Sequence, residues 1–167
     1  MLVFLIGFMG SGKTTIGKKL ANKLSLPFID IDIEIETTEA MPINQIFISK
    51  GESYFREIEH KRLLELLHHK GAVIACGGGT PCFYNNMDLM NSYGKTVYIK
   101  LSPEGLYSRL NSNNQSRPLI KDLSETELKD FIKNKLSERE FYYQKSKLIT
   151  NGLSMNVAQL ATTLSLL

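Results

Sequence analysis

The chain has 167 residues, 43% of them apolar and 22% charged, with a net charge of +3; that is enough for one domain with a sizeable core and ordinary for a globular protein. The charge is too small and scattered for a nucleic-acid interface, and the N-terminal apolar run is too short for a signal peptide or a membrane span. Cys76 and Cys82 lack metal-site spacing, so a cytoplasmic, enzyme-sized domain with reduced thiols is expected.

The first predicted element is a strand, Leu2–Ile6, which runs directly into Gly7-Phe8-Met9-Gly10-Ser11-Gly12-Lys13-Thr14. This string matches G-x-x-x-x-G-K-[ST] in full, and an amphipathic run (Ile16, Leu20, Ala21, Leu24) follows it. Strand, loop and helix are thus in the order a phosphate-binding loop requires. Glycines let successive backbone N–H groups crowd an anion, and the helix start adds orphan donors and its positive dipole end. Gly10, Ser11, Gly12, Lys13, Thr14 and Thr15 are therefore the candidate nucleotide-binding residues. Lys13 would meet the β- and γ-phosphates and Thr14 would ligate magnesium.

A second strand, predicted over Pro27–Ile31, carries Asp30 and Asp32 to its carboxyl end. Asp30 would hold magnesium through water, and Asp32 would orient or deprotonate a substrate hydroxyl; a solvated strand end is the alternative. Residues 33–70 read as mostly helical, opened at Met41-Pro42 and punctuated at Gly51. This stretch is too long for one crossover helix and is expected to be a substrate-binding insertion within a single domain spanning 1–167. Inside it Arg56 and Glu59 are i,i+3 neighbours, either an oriented carboxylate fork or a surface ion pair. His60, His68 and His69 show no ligand spacing and read as structural.

The third strand, Ala72–Cys76, leads to Gly77-Gly78-Gly79, which permits close backbone approach to a ligand. The fourth, Thr96–Lys100, precedes a short helix with Leu106, Leu110 and Arg109. The flat Arg109 guanidinium would stack on a base or lie on the surface. Residues 111–124 are polar and aperiodic, as a mobile lid would be, and carry Arg117. A loop arginine of this kind either stabilises a transferring phosphoryl group or is merely solvated. From Glu125 to Lys145 a helix presents Leu128, Ile132, Leu136 and Tyr143 as one stripe with Arg139 among them. A guanidinium on an apolar face needs a partner, whether a structural carboxylate or a substrate anion. The fifth strand is Lys147–Thr150. Strands alternating with helices predict an α/β fold, a five-stranded parallel sheet covered on both faces with ligands at the carboxyl ends of its strands.

In order, Gly7-Phe8-Met9-Gly10-Ser11-Gly12-Lys13, Asp30-Ile31-Asp32, Phe55-Arg56-Glu57-Ile58-Glu59, Gly77-Gly78-Gly79 and Arg117-Pro118-Leu119 resemble the motifs of the shikimate kinases, over nearly the whole chain. The resemblance implies a three-layer P-loop kinase fold and transfer of the ATP γ-phosphoryl group to the 3-hydroxyl of shikimate, with Mg2+. It also implies that Asp32, Arg56, Arg139 and Gly78 or Gly79 bind shikimate, Arg56 and Arg139 by its carboxylate. Lys13 and Arg117 would meet the phosphates, Asp32 would be the base, Glu59 would support Arg56, and Phe55 with Phe47 would wall the ring. Partners are then small molecules only, with no nucleic acid or membrane, and a monomer is expected. Where many relatives place a proline against adenine, this chain reads Asn151-Gly152-Leu153-Ser154-Met155, so Met155 is expected to pack there. Competing readings are another small-metabolite kinase, such as one acting on gluconate, or a nucleotide-binding switch; the chain has no D-x-x-G and no N-K-x-D for the latter.

Overall fold

A computed structural model describes residues 1–112, 120 and 122–166. Five strands, β1 (Leu2–Ile6), β2 (Phe28–Asp30), β3 (Ala72–Ala75), β4 (Lys95–Lys100) and β5 (Leu148–Asn151), form one parallel sheet in the order β2-β3-β1-β4-β5. Each strand end lies within one residue of the end predicted from the sequence. The helices are α1 (Lys13–Leu24), α2 (Ile31–Glu39), α3 (Ile43–Leu66), α4 (Asn86–Tyr93), α5 (Pro103–Asn111), α6 (Glu125–Tyr143) and α7 (Val157–Leu166). Among the described residues no helix is long and apolar enough to cross a membrane.

Every residue of β1 and β3 is buried, because helices cover the sheet on both sides. Val3, Leu5, Val73, Val97 and Ile99 face α1 and α7, where Leu20, Ala21, Leu160 and Leu164 meet them. Leu2, Phe4, Ile6, Ile74 and Tyr98 point the other way, into a core shared with α3, α4, α5 and α6. The period-two alternation of strand side chains thus splits one sheet between two cores. From β1 the chain passes over β3 to β2, returns to β3, then crosses to β4 on the far side of β1. That change of direction opens a crevice at the carboxyl ends of β1 and β3, the place where open parallel sheets bind ligands.

One local difference from the predicted elements bears on the site. The second strand stops at Asp30, and Ile31 already belongs to α2. The cause is a cap: the Asp30 carboxylate accepts the Asp32 N–H at 3.2 Å, fixing the start of the helix. Asp32 therefore sits in a first helical turn, not on a strand. The helical stretch over 33–70 resolves into α2 and α3, which part between Ala40, in the left-handed conformation, and Pro42. Gly51 (φ 82°, ψ 169°) breaks α3, a conformation that glycine adopts without steric penalty. The helical segment after this break carries Phe55, Arg56 and Glu59.

Candidate active site

The loop after β1 has the geometry of an anion cradle. Gly10 (φ 80°) and Gly12 (φ 98°) take left-handed conformations that turn the backbone toward the start of α1. Lys13 Nζ reaches back to donate to the carbonyls of Gly7 (2.8 Å) and Phe8 (2.9 Å). The Thr14 hydroxyl donates to Asp30 Oδ2 at 2.9 Å, joining the first turn of α1 to the end of β2. Gly10, Gly12, Lys13, Thr14, Thr15, Asp30, Asp32, Gly78 and Arg109, all expected from the sequence, line one cleft of about 600 Å³. Among the described residues no cluster of three or more His, Cys, Asp or Glu side chains is placed to hold a metal. Thr14 and Asp30 supply hard oxygens that suit magnesium, which takes few protein ligands and completes its shell with phosphate oxygens and water.

Three expected nucleotide contacts fall differently. Ser11 is fully buried, and its Oγ has no hydrogen-bond partner among the described residues, so its main chain alone serves the loop. Arg109 is neither loose nor superficial: Nη1 donates to the Ser11 carbonyl (2.9 Å) and Nη2 to that of Gly152 (3.1 Å). It straps the loop to the segment after β5. Met155 is not among the residues that line the cleft. It packs, half-buried, on the α1/α7 core, as Leu148 and Val157 do, and Gly152 lines the cleft wall. Arg117, with most of the expected lid, lies outside the described residues.

The glycine triplet organises the opposite wall. A Cβ on Gly77 would come within 2.7 Å of Glu59 Oε1 and 3.0 Å of Asp32 Oδ1; on Gly78, 3.0 Å from Arg139 Nη1; on Gly79, 2.6 Å from both terminal nitrogens of Arg56. At three successive positions, then, a Cβ would force a charged side chain to shift, least at Gly78 and most at Gly79. Arg56 Nη1 donates to Glu59 Oε2 at 2.8 Å, while Nε (3.2 Å) and Nη2 (3.0 Å) donate to Glu52 Oε1. The guanidinium also lies 4.3 Å from the centre of the Phe83 ring. Glu59 is 1% exposed, so the pair is no surface ornament. Arg139 lies beside the Tyr143 hydroxyl and 5.6 Å from the Phe8 ring, and it forms no ion pair among the described residues. The Tyr143 hydroxyl donates to the Gly78 carbonyl at 2.5 Å. That hydroxyl escapes a sequence reading, since the tyrosine reads there only as part of an apolar stripe.

Burial, reinforced by Glu59 and Asp30 and opposed by Lys13, pushes the Asp32 carboxyl up to about 6. A carboxylate so tuned is a better proton acceptor near neutral pH than an exposed one.

A phosphate cradle and a wall made by Asp32, Gly77 and Gly78 thus share one cleft at the carboxyl edge of a parallel sheet, with Arg56 and Arg139 against the glycine strip, an arrangement that suits a phosphate-loop kinase of small molecules. The family model for shikimate kinase matches residues 9–165. A shikimate kinase of Azobacteroides pseudotrichonymphae is 49% identical over 148 residues, 88% of this chain and 87% of that protein. The crystal structure of shikimate kinase from Bacteroides thetaiotaomicron superposes with a TM-score of 0.94 at 39% identity, covering 100% of this chain and 99% of that one. The enzyme from Acinetobacter baumannii in complex with shikimate gives 0.85 at 30% identity, over 97% and 89%. The chain belongs to the shikimate kinase family and is an ATP-dependent phosphotransferase.

The Asp32 environment has a stability consequence. A carboxyl raised from 3.8 to about 6 by folding favours the native state fully only below 3.8, and that advantage is lost as pH rises through 6. Asp32→Asn should therefore make the protein more stable at pH 7.5, by about 1–3 kcal/mol at roughly 1.4 kcal/mol per unit, and no more stable at pH 3.5, while losing activity. Urea denaturation at both pH values checks this; equal stability of variant and parent at pH 7.5 would contradict it.

Proposed function

We propose that the chain transfers the γ-phosphoryl group of magnesium-bound ATP to the 3-hydroxyl of shikimate. The observation that carries this reading is the contact of Gly77, Gly78 and Gly79 with Asp32, Arg139 and Arg56 in turn, at the edge of the phosphate cleft. One strip of backbone then aligns a proton acceptor with two carboxylate-binding cations, which is what a hydroxylated ring acid requires.

In this reading Gly10, Gly12, Lys13, Thr14 and Thr15 hold the phosphates, and Thr14 and Asp30 hold magnesium, Asp30 through water. Held there, magnesium would offset the charge of the phosphates. Asp32 orients the attacking hydroxyl and accepts its proton. Arg56 and Arg139 bind the substrate carboxylate. The exposed Glu52 occupies the Nε and Nη2 edge of Arg56, so an incoming carboxylate competes with it there. Gly78 contributes backbone to the acceptor pocket, and Gly79 keeps Arg56 in place. Arg117 meets the transferring group from a lid over 111–124, and the insertion over 33–70 closes on the acceptor; both belong to one domain.

The direct test is an acceptor panel of shikimate, gluconate and no acceptor, read by coupled ADP release. Turnover of about 1–100 per second is expected with shikimate alone, and equal rates across the panel would refute the assignment. Arg139→Ala should raise the KM for shikimate roughly 10- to 100-fold, the scale of a lost charge-assisted hydrogen bond, with ATP affinity unchanged. Equal losses for both ligands would move Arg139 out of the acceptor pocket.

A further inference from the structure

The buried Glu59 carboxylate has two oxygens to satisfy. Oε2 takes the Arg56 guanidinium at 2.8 Å, and Oε1 takes the hydroxyl of Thr80 at 2.5 Å. Thr80 is fully buried. An ionised carboxylate in such a place is tolerated only when paired and hydrogen-bonded throughout. Crowding sharpens the demand. The Cβ position of Gly77 lies 2.7 Å from Glu59 Oε1, 3.0 Å from Asp32 Oδ1 and 3.1 Å from Thr80 Oγ1, so two carboxylate oxygens and one hydroxyl converge above a bare glycine. The Thr80 proton is the donor that holds Glu59 in this crowded corner.

Thr80 is itself fixed from three directions. Its N–H donates to the Gly77 carbonyl at 3.1 Å, and its own carbonyl accepts Asn86 Nδ2 at 2.8 Å. The other end of the Asn86 amide, Oδ1, meets His60 Nδ1 at 2.6 Å. His60 follows Glu59 directly on α3, so the path from Glu59 through Thr80, Asn86 and His60 returns to the helix on which it began. Both Thr80 and Asn86 are 0% exposed. This closed circuit holds the 3-10 turn after the glycine triplet, Thr80–Cys82, against the helix that carries Arg56. A valine would fill the same space; the hydroxyl is what the circuit uses.

We infer that Thr80 is a positioning residue for acceptor binding: it locks Glu59, which in turn holds Arg56 at the angle needed for the substrate carboxylate. The inference rests on the reading of Arg56 as a carboxylate-binding group. Thr80 touches no substrate. Its influence reaches the acceptor through two other side chains and leaves the phosphate loop alone.

The test is steady-state kinetics of the full chain carrying Thr80→Val, Thr80→Ala, Thr80→Ser or Arg56→Lys. Loss of one hydrogen bond to a charged group should raise the shikimate KM about five- to tenfold in Thr80→Val. The ATP KM and kcat should stay within about twofold, and Thr80→Ser should restore the parent value. Thr80→Ala gives the same reading if the valine variant does not fold. A parent-like shikimate KM in both variants lacking the hydroxyl, an ATP KM rising in step, or no rescue by serine would overturn the inference. Arg56→Lys separates the two levels. If it leaves the shikimate KM unchanged, the reading of Arg56 fails and the inference with it; if it raises that KM while Thr80→Val does not, the inference fails alone.

Discussion

A carboxylate that is 1% exposed, Glu59, sets the terms for the wall proposed to take the acceptor. Left unpaired it would cost several kcal/mol, and paired on one side only it would pull its neighbours out of register. The fold meets the demand with Arg56 on one oxygen and Thr80 on the other. Everything else on that wall follows from the space the pair occupies. Gly79 has no side chain because the guanidinium lies where one would be, and Gly77 has none because Glu59 and Asp32 meet there. The same closeness to Glu59 adds to the burial that raises Asp32. Binding geometry and proton affinity therefore share one cause.

The phosphate loop, proposed to hold the donor, is built on a different principle. It uses backbone donors, a helix start and one lysine, none of which depends on a buried charge pair. Two links keep wall and loop in register. The Thr14–Asp30 hydrogen bond ties α1 to β2, and the Asp30 cap on α2 fixes Asp32 two residues later. Arg109 secures the opposite side by strapping the loop to Gly152. The site is thus assembled from strand ends that the sheet order brings together, with each end contributing a different chemistry.

Much of this is legible in the sequence, and the pattern of what is not is physical. The five strands and the phosphate loop are local signals, carried by apolar runs and fixed glycine spacing, so they can be read directly. Arg56 and Glu59 pair through helix periodicity and are also readable. Asp32 is misplaced by that reading because a single cap hydrogen bond ends the strand at Asp30, one residue earlier than its apolar character suggests, and starts a helix at once. Met155 packs half-buried against the α1/α7 core, a tertiary contact that no local pattern records. The strap made by Arg109 joins segments 43 residues apart, and no local pattern records it. Thr80 follows the glycine triplet in plain view, yet only three-dimensional proximity to Glu59 gives it a task.

The account rests on the acceptor wall being held by contact between the glycine triplet and the charged groups behind it. Gly79 is the place to test that, since its backbone (φ −92°, ψ −21°) suits any residue and only a Cβ would intrude on Arg56. Isothermal titration of Gly79→Ala with shikimate and with ATP separately is the direct measurement. Shikimate affinity should fall by about tenfold or more, the scale of a displaced charge-assisted hydrogen bond, while ATP affinity stays as in the parent. Unchanged shikimate binding, or an equal loss for both ligands, would contradict the account.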